Sequence, residues 1–275
     1  MLSYRHAFHA GNFADVLKHL VLIKSIEYMQ QKPGPLLYID THAGAGSYPL
    51  DSRMSRKTDE YAAGAGALQL QRLPADFDSY GALIERFGKQ GIYPGSPQIA
   101  AELLRTQDKL RLFELHPTDF PKLAKLFARD KRVRCEQSDG HHALKSLLPA
   151  PQKRALILMD PSYEIKREYQ TVVESLQAGY KRMANATYLL WYPVVQRDWI
   201  NRMIKTLRSS GIKDIWQFEL GIAPDNREPG MTASGILAIN PPWVLPQQLQ
   251  TLLPLLQQQL APIRGFYRIQ AIVPG

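Results

Sequence analysis

Cysteine is nearly missing from this chain: Cys135 is the one thiol among 275 residues. That excludes an internal disulfide and any metal site built on several thiolates, and it fits a reducing, cytoplasmic setting. Long apolar runs are missing too, since none approaches the roughly 18 uninterrupted residues that span a bilayer, and no membrane association is expected. The start, Met1-Leu2-Ser3-Tyr4-Arg5-His6, lacks an apolar signal region, so secretion by the usual route is not expected. No carboxylate-His-Cys spacing suggests zinc, and no metal is expected. Low-complexity tails and blocks of like charge are also lacking, which argues against a disordered arm. Acidic residues are the minority, 25 against 34 Lys and Arg, for a formal net charge of +9. A surplus of that size favours polyanionic partners through counterion release and steering. The positive residues are dispersed, as in Arg129-Asp130-Lys131-Arg132, and predict a folded basic surface.

What the chain has is alternation. After residue 30, strand-like apolar runs at 36–40, 110–115, 133–137, 155–160, 188–192, 215–220 and 235–240 are separated mostly by segments with apolar spacing of three and four, such as 120–128, 143–148, 169–183 and 199–207. This predicts βαβ units wound about a largely parallel sheet. The last two runs are joined by 221–234, which has no helical period, so they predict a terminal hairpin that adds one antiparallel strand at the sheet edge. The expected fold is α/β, a Rossmann-like class I methyltransferase sheet of seven strands. One domain is expected over 1–275, with an N-terminal tail at 1–12. The spacing breaks once, at 50–94, where 59–70 and 77–87 look helical. This small helical insertion serves either as lateral support for the sheet or as a lobe that contacts substrate.

Four strand ends carry the chemistry. Asp160-Pro161-Ser162-Tyr163 follows the apolar run 155–159. A buried strand that meets a proline stops abruptly and leaves a carboxylate, a fixed turn and an aromatic face. In open α/β sheets ligands sit beyond the carboxyl ends of strands. An acceptor for an amino group beside a ring that stacks on a base suits methyl transfer to a nucleobase amine, although the same residues also make an Asp-Pro turn. The first strand ends in Asp40-Thr41-His42-Ala43-Gly44-Ala45-Gly46, whose glycines permit a tight turn and close approach to a ligand. The three-glycine fingerprint is incomplete, because His42 replaces its first glycine, and a plain dinucleotide oxidoreductase is disfavoured. Glu114 ends the second strand and can accept two ribose hydroxyls; it also reads as a surface acid near His116. Asp139-Gly140 ends the third, as an adenine contact or a simple turn. Singly each signal is weak. In this order they match the series expected of an S-adenosylmethionine site.

The segment before residue 13 is rich in histidine and leads into a helix predicted over 13–29. Asn12 is its N-cap, with Asp15 in the capping-box position. Phe13, Val16, Leu17, Leu20 and Ile23 share one face. Lys18 and His19 fall away from it, either on a solvated face or over a bound cofactor and target base.

These motifs resemble the S-adenosylmethionine-dependent amino-methyltransferases, whose matching motif is Asp/Asn-Pro-Pro-aromatic. More closely, the chain is similar over nearly its whole length to the family of bacterial 23S ribosomal RNA adenine-N6 methyltransferases. The opening from Tyr4 through His19 and the closing Gly235-Ile236-Leu237-Ala238-Ile239-Asn240-Pro241-Pro242-Trp243 carry that likeness. The resemblance implies that His19, His42, Ser96, Glu114, Asp139 and Gly140 contact S-adenosylmethionine, with Gly44 of the first turn beside them. It implies that Asp160 is catalytic and that Tyr4, His6 and Lys18 complete the active site. On this reading Tyr163 stacks on the flipped adenine, the Pro161 carbonyl and Asp160 accept its amine, and Lys18 meets a phosphate or the cofactor carboxylate. The expected substrate is 23S ribosomal RNA and the expected state a monomer. Ser162 departs from the family's second proline, which loosens the loop. Methylation of DNA adenine or of a protein glutamine, and a non-catalytic RNA-binding role, are the alternatives.

Overall fold

The computed structural model describes residues 6–52, 59–226, 228 and 230–275. Its strands are β1 (Leu37–Asp40), β2 (Ser47–Pro49), β3 (Ile92–Pro94), β4 (Lys109–Phe113), β5 (Val133–Glu136), β6 (Ala155–Met159), β7 (Thr187–Val194), β8 (Ile215–Gly221), β9 (Ala233–Ile239) and β10 (Phe266–Val273). Its helices are α1 (Phe13–Gln30), α2 (Glu60–Ala63), α3 (Asp78–Gly88), α4 (Ser96–Leu103), α5 (Phe120–Leu126), α6 (Gly140–Leu147), α7 (Glu168–Arg182), α8 (Arg197–Arg208) and α9 (Leu245–Leu260). Among the described residues no helix is long and apolar enough to cross a membrane.

Strands form where the apolar runs are. β1, β6 and β7 are buried at every position, as strands covered on both faces must be. The main sheet has the order β10-β8-β9-β7-β6-β1-β4-β5. From β1 the chain winds outward through β4 to β5, then crosses back to β6 and winds the other way to β7. All of these neighbours are parallel. The crevice between β1 and β6 is therefore the topological switch point, where open α/β sheets bind ligands. The order from β5 to β8, with antiparallel β9 between β7 and β8, is that of the class I methyltransferase fold.

The sheet differs from the sequence expectation in two ways. The sheet has eight strands rather than seven, because β10 pairs antiparallel with β8 and takes the edge. Only Ile272 is buried in β10, so the strand lacks the apolar run that marks the others. The antiparallel strand β9 accordingly lies inside the sheet, and its hairpin partner β8 is covered by β10.

Helix α1 is also unlike its predicted amphipathic form. Every residue from Phe13 to Ile26 is buried, Lys18 and His19 included, since the helix packs against α4 and also against β9. A helix buried all round has no solvated face to give away its orientation. Asn12 does cap it, accepting from the Ala14 and Asp15 amides at 3.0 Å each. The reciprocal bond is shifted by one residue, because Asp15 accepts from the Gly11 amide (2.8 Å).

The segment between β1 and α4 closes on itself through the antiparallel pair β2–β3, with the Leu50 amide on the Gly91 carbonyl (2.8 Å). It contains α2, three single 3-10 turns and α3, so helix is sparser over 59–70 than the spacing predicts. The Ala65 amide donates to the Gly11 carbonyl (2.7 Å), and His9 Nδ1 donates to Glu60 Oε1 (2.8 Å). The segment thus rests on the chain just before α1.

Candidate active site

Two cavities open over the carboxyl ends of β1, β4, β5 and β6, and they meet at His6, Lys18, Asp160 and Ser162. The narrower, about 200 Å³, is lined by all seven residues expected at the cofactor: His19, His42, Gly44, Ser96, Glu114, Asp139 and Gly140. The wider, about 580 Å³, is lined by Tyr163, Trp191, Pro193 and Met231 on one side and by His9, Asn12 and Glu60 on the other. Pro161 is buried and lines neither cavity. Tyr4 lies outside the described residues.

The turn after β1 shapes the narrow cavity. Gly44 has φ +59, and a Cβ there would come within 2.2 Å of the Tyr48 hydroxyl, so no other residue fits without rearrangement. Its amide donates to Glu114 Oε2 (2.7 Å), and the His116 amide donates to Oε1 (2.6 Å). Each oxygen keeps a further lone pair for a hydroxyl. Burial raises the Glu114 pKa, and these two amides oppose it. Asp139 caps α6 by accepting from the His141 amide (2.8 Å). A Cβ on Gly140 would lie 2.0 Å from the Thr41 carbonyl, so the start of α6 is drawn against the β1 turn as only glycine allows. Asp40 is fully buried beneath this turn and accepts from Ser96 Oγ (2.7 Å) and the Tyr38 hydroxyl (2.8 Å). Burial pushes its carboxyl up to about 6 against those bonds.

His19 is neutral: burial pulls its imidazole down to about 3, the nearby Asp15 notwithstanding. Its Nδ1 bonds the Tyr93 hydroxyl (2.9 Å), while Nε2 is buried at the cavity wall without a partner. Both ring nitrogens of His141, on the same wall, are likewise buried and unpartnered. Such orphaned atoms fit a polar ligand that fills the cavity. His42, His141 and Glu168 bring ligand atoms within 4.8 Å of one another. Two metal–ligand bonds of about 2.1 Å reach only about 4.2 Å end to end, so one ion would require a side chain to move.

Between the cavities lies a buried ionic cluster. Lys18 Nζ is 2.6 Å from Asp160 Oδ2 and 2.8 Å from Asp15 Oδ1. Asp15 Oδ2 also accepts from His6 Nε2 (2.9 Å). Burial opposes the charge on Lys18, but the two carboxylates outweigh it and hold the ammonium protonated far above its ordinary range. Burial likewise opposes ionisation of Asp15, and its neighbours His6 and Lys18 outweigh it and hold its pKa well below the usual range. The sequence expectation puts a phosphate or a cofactor carboxylate at Lys18; the structure places its ammonium on two carboxylates of the protein, Asp15 and Asp160. The partner was hidden because Asp160 is 142 residues away.

The loop after β6 is held firmly despite Ser162. Tyr163 stands at φ 54, a conformation strained for an aromatic residue. Its hydroxyl donates to the Trp191 carbonyl (2.7 Å), and its ring lies 4.4 Å from Tyr169 and 5.9 Å from Trp191. Glu168, at the start of α7, bonds the Tyr163 and Glu164 amides. The tethering expected of the missing proline ring is thus supplied by α7 and β7. Sequence reasoning missed Asp15 as more than a cap, and it missed His141, Glu168 and Trp191, whose apolar or helical settings carried no separate signal.

A family model described as ribosomal RNA large subunit methyltransferase D, RlmJ, matches residues 33–273. The chain is 50% identical over 279 residues to ribosomal RNA large subunit methyltransferase J of Escherichia coli (strain K12), covering all of both chains. It is 46% identical over 280 residues to the protein of that name from Haemophilus influenzae, again covering both fully. Among solved structures, a Legionella pneumophila protein of family DUF519 matches with a TM-score of 0.89 and 37% identity, over 96% of this chain and 98% of that one.

Proposed function

The chain belongs to the RlmJ family of large-subunit ribosomal RNA methyltransferases, and from that premise we propose that it methylates the N6 amine of an adenine in 23S ribosomal RNA, using S-adenosylmethionine. The observation that carries the reading is the meeting of two unlike cavities at Asp160. The narrow one presents strand-end acids and glycines suited to a nucleoside; the wide one presents aromatic faces suited to a base. S-adenosylmethionine, when bound, supplies an electrophilic methyl group on a sulfonium. Glu114 accepts the ribose hydroxyls, Asp139 and Gly140 face the adenine, and His19, His42, Gly44 and Ser96 form the remaining wall.

The target base is extruded from the RNA and lies against Tyr163 and Trp191 in the wide cavity. Its amine donates to the Asp160 carboxylate, which turns the nitrogen lone pair toward the narrow cavity; the Pro161 carbonyl, expected to share that amine, lines neither cavity. Most of the acceleration comes from this alignment and from stabilising the positive charge that develops on the nitrogen. The N–H proton becomes acidic once the new N–C bond has formed, and Asp160 is placed to take it. His6 closes the passage from above, and Tyr4 joins it on the strength of the family resemblance and its place in sequence.

Residues 1–275 act as one methyltransferase domain, with the 1–12 tail and the 50–94 insertion serving as a substrate-facing lobe. Glu60 and Ala63 on the wall of the wide cavity support that role over lateral support. The proposed working state is a monomer, and a ribosomal RNA substrate implies a cytoplasmic location. The test is transfer of labelled methyl to protein-free 23S ribosomal RNA and to assembling large-subunit particles, followed by mass mapping. N6-methyladenine at one position is expected. Protein that binds S-adenosylmethionine and labels no adenine in either substrate would rule the reading out.

A further inference from the structure

Asp15 lies on the wall of the wide cavity beside the active groups, and three of them depend on it. It is 1% exposed, on the first turn of α1. One oxygen receives Lys18 Nζ (2.8 Å) and lies 4.0 Å from His19 Nε2; the other receives His6 Nε2 (2.9 Å) and the Gly11 amide (2.8 Å). One carboxylate thus anchors the tail residue His6, the lysine on Asp160, and the turn that aims the tail.

Charge counting gives this arrangement a chemical meaning. Lys18 and Asp160 alone sum to zero, and a neutral pair offers little to an amine that becomes cationic during methyl transfer. Adding Asp15 makes the buried triad net negative by one charge. It also gives Lys18 somewhere to stay when the amine takes its place on Asp160 Oδ2. Both Asp15 and Lys18 are at most 3% exposed, so this charge is poorly screened by solvent.

We infer that Asp15 is a positioning residue for methyl transfer: it draws the Lys18 ammonium off Asp160 as the target amine enters, leaves the site net anionic, and holds His6 over it. The inference rests on the methyl transfer proposed above. It gives Asp15 an effect on the chemical step that a helix cap would not have.

The test is Asp15→Asn, which keeps the shape and one acceptor and removes the charge, compared with Lys18→Met and the double variant. Wild-type protein is assayed alongside; if it labels no ribosomal RNA, the proposed function fails and not this assignment. With active wild type, Asp15→Asn should lower kcat at least about 10-fold, with KM for RNA and Kd for S-adenosylmethionine within about three-fold. Asp15→Asn/Lys18→Met restores a net charge of minus one, so its loss should be smaller than the product of the two single losses. Wild-type kcat in Asp15→Asn overturns the inference. So does a parallel loss of kcat, cofactor affinity and Tm in both the single and the double variant, since that would make Asp15 a folding element only.

Discussion

Asp160 and Gly140 both line the narrow cavity, and each can be replaced with a different consequence. Asp160 holds the amine, so Asp160→Ala should abolish methyl transfer while Kd for S-adenosylmethionine stays within a few-fold. Gly140 has the Thr41 carbonyl where a Cβ would go, at 2.0 Å. Gly140→Ala must push α6 away from the β1 turn, so it should weaken cofactor binding at least about ten-fold. Calorimetry with S-adenosylmethionine and a single-turnover assay separate the two effects. Equal loss of binding and transfer in Asp160→Ala would show that its bond to Lys18 is structural. Both positions were legible in the sequence, because a strand end, a proline and a glycine leave local marks. Lys18 was legible only as a charge off the apolar face. Its meaning came from Asp15 and Asp160, and no local pattern announces a partner on another strand.

Elements differ in how plainly the sequence declares them. β1 and β6 are continuous apolar runs because both faces are covered, and they read at once. β10 escaped because its edge position leaves Arg268 and Gln270 exposed, and α1 was misjudged because burial on every side removes the polar face that defines an amphipathic helix. The insertion makes its own prediction through α2. His9 and Glu60 form the latch, with side chains 37% and 32% exposed, so solvent screening keeps its contribution small. The bond to Glu60 raises the His9 pKa above 6.5, burial notwithstanding. That contribution is complete below about pH 6.5 and fades as pH rises through the raised folded value. Burial acts to raise Glu60, but its bonds from His9 and Asn12 win and lower it below 4.5. Its contribution is present above about pH 4.5 and is lost as pH falls through the lowered value. The latch is tightest between these limits. Hydrogen exchange at the Ala65 amide, which is bonded to Gly11, should accelerate from pH 6 to pH 8.5 beyond its intrinsic rise. Glu60→Gln should remove that excess; an unchanged excess would place the pH response elsewhere.

At the scale of the whole molecule two electrostatic regimes coexist, and salt separates them. In the active cluster Asp15 and Lys18 are buried and Asp160 is 13% exposed, so a Debye length of about 10 Å at 0.1 M has little hold. The formal charge of +9 is spread along the chain and meets a polyanion through counterion release, with a slope of about −0.7 to −0.9 in log affinity per phosphate neutralised. The topology keeps these apart, because the switch point between β1 and β6 sets the buried cluster beneath its cavities while charged side chains remain on the surface. Raising salt from roughly 50 to 200 mM should therefore raise KM for ribosomal RNA steeply, by roughly 50–150-fold for about four neutralised phosphates. Single-turnover rates at saturating RNA, and Kd for S-adenosylmethionine, should change less than about two-fold over the same range. A flat KM would mean that the RNA is held by its bases and shape, with the positive surplus serving another purpose. A single-turnover rate that fell with KM would mean that the ionic cluster opens to solvent during the reaction.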